Sequence, residues 1–158
     1  MTETTNVKTA AGTKLYVGGT GVLLSESSWE EVGEIVDFGE YGKNFELVTH
    51  NPIGSRKTFK FKGSYNEGTL ALQLGQDIAD DGQADLRAAL ETDYDYNFKI
   101  EFNDAPAASG STNTIDTFKA KVMSFTTQVG GVNSIVGAAC NIEINSDITR
   151  VDAVDAGA

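Results

Sequence analysis

The chain has 158 residues, 40% of them hydrophobic, and carries 23 Asp and Glu against 12 Lys and Arg for a formal charge of -11. That length suits a single hydrophobic core, since two would each bury too little apolar surface. The carboxylate excess argues against a protein that grips nucleic acid, which needs surplus cations to displace phosphate counterions, and against attachment to anionic membranes, while still permitting a surface past which DNA slides.

Cys140 is the sole cysteine, so an intrachain disulfide is excluded and no oxidising compartment is implied. The opening residues, MTETTNVKTAAG, are polar where a secretion signal needs an apolar core, and the sequence has no apolar run long enough for a membrane-spanning helix. Synthesis in a cytoplasm is the expectation.

Residues 1–12 read as a polar, extended arm, and residues 14–17 as a first short strand interrupted by Gly18, Gly19 and Gly21. Short β-rich runs follow at residues 32–38 and 45–48. Residues 49–55, with Pro52 and Gly54, form the loop of a hairpin leading into a strand over 56–62. In that strand Phe59 and Phe61 share one face while Thr58, Lys60 and Lys62 share the other, the period of a half-buried strand with its aromatics in a core. Residues 63–68 make a turn. Leu70, Leu72 and Leu74 then line one face of residues 69–74, and these two strands are expected to pair.

Asp80 or Asp81 caps a helix over residues 82–92, because a carboxylate there accepts from the free amides of the first turn. Its narrow stripe of Leu86, Ala89 and Leu90 places it on the rim of a sheet. Residues 94–102 are the clearest strand: Tyr94, Tyr96, Phe98, Ile100 and Phe102 alternate with Asp95, Asn97, Lys99 and Glu101, whose face should be wet. Residues 103–113 are a loop. Phe118, Ala120 and Val122 then alternate until Met123 and Phe125 change phase, which calls for a bulge or for burial on both faces. After a turn at Gly130 and Gly131, Val136, Ala138, Cys140, Ile142 and Ile144 alternate again, and residues 146–158 read as a second arm.

Candidate chemistry fails at named positions. Gly19-Thr20-Gly21 lacks the third glycine of a dinucleotide loop, where Leu24 stands, and Gly54 to Thr58 leads into a strand where a phosphate loop needs a helix. Asp77, Asp81 and Gly82 fit a calcium loop, but Ala79 and Ala88 occupy ligand places, so helix capping explains the acids better. His50 is the sole histidine, too few for a zinc site or a Ser/His/Asp system, and Cys140 reads as a small core side chain. No catalytic residue, metal or cofactor is expected. The cations Lys57, Lys60 and Lys62, interleaved with Phe59 and Phe61, suit a solvated strand face or carboxylates on a neighbouring subunit. The residues thus describe one mainly β domain, a sandwich or barrel-like fold with one helix and two polar arms, suited to assembly with its own copies.

The order WEEVGEIVDFGEYGKNFELVTHNPIGSRKTFKFKGSYNEGTLALQLGQDIADDGQADLRAAL resembles the major tail tube proteins of long-tailed bacteriophages and related gene-transfer particles. The resemblance spans residues 29–144, and its most specific part is GSRKTFKFKG, GTLALQLGQ and the short helix followed by a YNFKIEF-like strand. It implies two packed antiparallel sheets flanked by a helix in one domain over residues 1–158, with arms at 1–12 and 146–158. It further implies hexameric rings whose inner strands join into a continuous barrel, stacked into a hollow virion tail tube that is assembled in the host bacterial cytoplasm. DNA passes through without specific binding, and tail terminator, tape-measure and distal tail proteins are the implied partners at its ends. The bridging loop of such proteins maps to Thr49, His50, Asn51, Pro52, Ile53, Gly54, Ser55, Arg56 and Lys57. Asp95, Asn97, Lys99 and Glu101 are one candidate lumen face, and Thr117, Lys119 and Lys121 another. Two alternatives are the tube protein of a contractile injection or secretion system and, from another class, a carbohydrate-binding β-sandwich.

Overall fold

Alternating apolar side chains give most strands one face to bury, and the computed structural model, which describes residues 7–157, gathers those faces into one core. In chain order the elements are β1 (Lys14–Val17), β2 (Glu30–Val32), β3 (Ile35–Asp37), β4 (Asn44–His50), β5 (Phe59–Asn66), β6 (Thr69–Gly75), α1 (Asp81–Leu90), β7 (Tyr96–Glu101), β8 (Ile115–Gln128), β9 (Gly137–Ile144) and β10 (Thr149–Val151). The fold is mainly β, with two antiparallel sheets and one helix, and it is not closed into a barrel.

The larger sheet runs β2-β1-β7-β8-β9-β6-β3, with β10 added beside β8. Its registers place Leu15 beside Ile100, Val17 beside Phe98, Phe98 beside Phe118, Val122 beside Ile142 and Leu72 beside Cys140, all buried. The phase change in β8 is a bulge between Val122 and Ser124, and it returns Phe125 to the side of Cys140. The strand therefore bends and keeps an apolar face on both sides of the break.

Helix α1 starts as expected. Asp80 is its N-cap, accepting from the Gln83 amide at 2.8 Å, and the same carboxylate accepts from the Gly33 amide at 3.1 Å. Leu86 and Ala89 are buried, and Gly82 lies so close to β2 that a Cβ there would overlap the Glu31 carbonyl. Gln83, fully buried, donates to the carbonyls of Gly33 and Gly75 at 3.1 and 2.9 Å and so ties the helix to the link between β2 and β3 and to the end of β6.

Several expectations are corrected. The run over residues 32–38 is broken at Gly33 and Glu34, whose φ is 62°, so β2 and β3 go to opposite ends of the larger sheet. β5 does not pair with β6: it pairs with β4, while β6 lies between β9 and β3. The expected turn over 63–68 shrinks accordingly, because Gly63 to Asn66 continue β5. Phe59 and Phe61 lie outside the core. Alternation along β5 fixed the two faces of the strand but held nothing to say what covers them.

The expected arms differ from each other. Residues 1–6 lie outside the described residues, and Val7 to Gly12 precede β1 without a strand. The C-terminal stretch folds back on the body: Thr149–Val151 pair with β8, Val154 bridges Thr112, and Arg150 donates from Nε and an Nη to the buried Asp116 at 2.8 and 2.9 Å. Tyr41 donates to the same carboxylate at 2.5 Å.

Candidate assembly interface

The second sheet is only β4 and β5, a two-stranded ribbon whose strand residues are nearly all exposed. On one face Val48 stands beside Phe61 and His50 beside Phe59; on the other Leu47 stands beside Lys62 and Thr49 beside Lys60. Both faces carry apolar surface, with Leu47 63%, Phe61 57% and Phe59 41% exposed. Phe45 and Tyr65 pack at 5.2 Å between ring centroids, Lys62 Nζ lies 4.8 Å over Phe45, and Lys43 Nζ 4.4 Å over Tyr65. An isolated two-stranded ribbon is marginal in water, so this one holds through its base and whatever joins it. At the base Tyr65 donates to Asp147 at 3.0 Å, the Gly42 amide donates to the Glu67 carbonyl at 3.0 Å, and Lys43 lies 3.7 Å from the buried Glu67 carboxylate.

Charge is partitioned along the same boundary. Residues 43–66 hold five of the twelve Lys and Arg and a single acid, Glu46, a net of +4 that leaves the rest of the chain at -15 out of -11. The candidate loop lies at the far end of the ribbon. Thr49 and His50 are the last residues of β4 rather than loop, and Asn51, Pro52, Ile53, Gly54, Ser55, Arg56 and Lys57 form the tip. The tip is turned by the Ser55 amide on the Pro52 carbonyl at 3.2 Å and the Lys57 amide on Ser55 Oγ at 3.1 Å, with Ile53 fully exposed.

The candidate lumen residues on β7 and just before it are mostly engaged within the chain. Asp95 lies 2.8 Å from Lys121 Nζ, and that bond first of all holds its carboxyl below the ordinary range. Asn97 is buried rather than wet, and donates to the Gly21 carbonyl and to Glu26 Oε2 at 3.2 and 2.7 Å. Lys99 Nζ sits over Tyr16 and Trp29 at 4.5 and 5.0 Å, and Glu101 accepts from Asn113 at 3.4 Å. Of the second candidate face, Lys119 donates to the Gly21 carbonyl at 2.6 Å and Lys121 to the Asp93 carbonyl at 2.7 Å. The segment over residues 18–28 covers β7 because Glu26 accepts from the Gly19 and Ser28 amides as well as Asn97, and the Asn97 bond leads in lowering its pKa. Spacing gave no sign of this cover: Glu26 meets Asn97 only through the fold.

Among the described residues no group of acids, Cys and His could hold a metal ion, and no helix is long and apolar enough to cross a membrane. Burial pushes the Cys140 thiol up to about 12, in keeping with an unreactive core side chain.

No protein-family model and no curated protein matches the chain. Among solved structures, a chain of the sixfold-symmetrised baseplate of the anti-feeding prophage aligns with a TM-score of 0.70 at 14% identity, covering 96% of this chain and 98% of that one. A chain of the SPP1 tail tube aligns with a TM-score of 0.63 at 12% identity, covering 90% and 78%. A chain of the sheath-tube complex of an extracellular contractile injection system, PVC, aligns with a TM-score of 0.59 at 11% identity, covering 89% and 88%. At these identities the likeness is one of fold, and the fold is that of the tail tube proteins of phage-like particles.

Proposed function

We propose that the protein is a structural subunit without enzymatic activity that closes into hexameric rings, which stack into the hollow tail tube of a long-tailed phage or related particle. DNA would pass through the tube to the host. The observation that carries this reading is the β4–β5 ribbon, a sheet of two strands with apolar side chains exposed on both faces and, among the described residues, no strand beyond either. Such a surface is a liability in a monomer and is relieved when copies cover it. The shared fold with the SPP1 tail tube supports the same conclusion. The tail terminator, tape-measure and distal tail proteins are the partners this reading assigns to the tube ends, with the virion tail as its destination and the host cytoplasm as its place of assembly.

The decisive experiment is electron microscopy of the purified protein at high concentration. Rings with a central hole and sixfold symmetry, or tubes made of them, are expected; a strict monomer, with no ring in mature particles, overturns the reading. A second reading, the tube of a contractile injection system, is favoured by the anti-feeding prophage and PVC likenesses. A sheath enclosing the tube in isolated particles decides for it, and a bare tube attached to a DNA-filled capsid decides against.

A further inference from the structure

The larger sheet has two ends, and they are treated differently. At the β2 end α1 lies against the backbone, with Gly82 on Glu31 and Val32 and the Asp80 carboxylate on the Gly33 amide at 3.1 Å. That edge is covered. At the other end β3 is the last strand, and among the described residues nothing pairs with its outer side. Val36 at its centre is 78% exposed, and Glu34, Asp37 and Glu40 around it are exposed too, with no cation between residues 26 and 42. An unpaired strand edge presents a row of free N–H and C=O groups to any strand that can reach it.

We infer that this acidic β3 edge is the docking surface for the basic ribbon of a second copy, with β5 adding beside β3 by strand pairing. The inference rests on the tube reading above and names which surface of the neighbour receives the ribbon. Charge selects the partner: the ribbon carries +4 on a chain whose remainder carries -15, so the surface most complementary to it is the body of another copy. In β5, Phe59 and Phe61 alternate with Lys60 and Lys62, while β3 carries a bulge between Ile35 and Asp37, which stand opposite the successive β6 residues Leu74 and Gln73. Pairing that sets Phe61 beside the exposed Val36 puts Lys60 and Lys62 one residue to either side of that contact, within reach of the exposed Glu34, Asp37 and Glu40. One placement of the strand therefore serves both the apolar and the charged contacts. The contact is heterologous, ribbon to edge, which generates rings or open chains rather than closed dimers.

The test is carbodiimide cross-linking, which joins lysines directly to carboxylates, on an equimolar mixture of light and heavy-nitrogen wild-type protein at the concentration used for microscopy. Mixed-isotope peptides linking Lys57, Lys60 or Lys62 to Glu34, Asp37 or Glu40 are expected, since a mixed isotope pair proves that the link runs between copies. The double variant Lys60→Glu, Lys62→Glu, at exposed positions that leave the core untouched, should lower the yield of assembled protein about tenfold at physiological salt. Links from these lysines only to other carboxylates, no link at all, or full assembly of the double variant would overturn the inference. If the expected links form but micrographs show open chains without rings, the tube reading falls while the pairing stands.

Discussion

At the scale of single residues, the most consequential contacts are polar and lie off the ribbon. Asp116 is fully buried and accepts from Tyr41 and twice from Arg150, whose side chain is 57% exposed. Burial first, and Asp116 second, keep the Tyr41 hydroxyl protonated well above the usual tyrosine range, and the bond to Asp116 leads in raising the Arg150 pKa. Arg150→Ala leaves a buried carboxylate short of its cation, so we expect a loss of about 3 kcal/mol in denaturant unfolding, with Arg150→Lys recovering only part because it keeps one of two parallel bonds. Three carboxyls give a pH dependence. Glu26 is held below its ordinary 4.5, mainly by Asn97, and Asp95 and Asp104 below 3.8, mainly by Lys121 and Thr114 respectively. Because the folded values are the lower ones, their contribution is present above the unfolded values and is lost as pH falls through the folded ones. Tm should therefore change little from neutrality to about pH 5 and fall below about pH 4, with Asp85, whose carboxyl burial raises, opposing part of that fall. Glu26→Gln should flatten part of that acid slope, and an unchanged slope would count against the role given to Glu26 in closing the 18–28 segment.

At the scale of elements, the helix and the ribbon behave in opposite ways. α1 is fixed by close approach: a Cβ at Gly82 would meet β2 backbone, which has no side chain to swing aside. Gly82→Ala should therefore destabilise by about 2–3 kcal/mol despite the roughly 1 kcal/mol that alanine gains over glycine in a helix, as read in thermal or urea unfolding. In the ribbon the apolar side chains are about half exposed in the monomer and pack only on one another. Phe59→Ser with Phe61→Ser should loosen the ribbon while leaving the core sheet folded, as read by hydrogen exchange, and should abolish rings in micrographs. Removing residues 49–55 should likewise leave the core folded and weaken stacking; normal polymerisation of the truncated protein would remove those residues from the interface. The sequence signal for this ribbon was its alternation of Phe and Lys. The same alternation describes a strand packed on its own core and a strand left outside it, so it does not reveal that Phe59 and Phe61 lie outside the core.

At the scale of the whole molecule, charge separates a basic ribbon from an acidic body. Docking that neutralises the ribbon leaves the acidic remainder on the outside and in any bore, where it would repel phosphates. Assembled protein should then show no retention of double-stranded DNA in a gel shift at physiological salt, and raising the salt should slow ring formation by screening the ribbon. Salt-independent assembly would place the drive in the apolar contacts alone.

The sequence by itself determined the class, the strand of residues 14–17, the capped helix with its buried Leu86 and Ala89, the change of phase along β8 and the alternating β9. Each of these rests on periodicity or on a local cap, which neighbouring residues contain in full. Only the tertiary structure decided that β5 leaves the core and pairs with β4, that β2 and β3 part at Glu34 to opposite ends of one sheet, that Asn97 is buried beneath Glu26, and that Arg150 fastens the C-terminal strand to Asp116. Those outcomes join residues 34 to 71 positions apart or turn on which surface covers a strand. A period of two records that a strand has two faces, and only long-range packing says what lies against each.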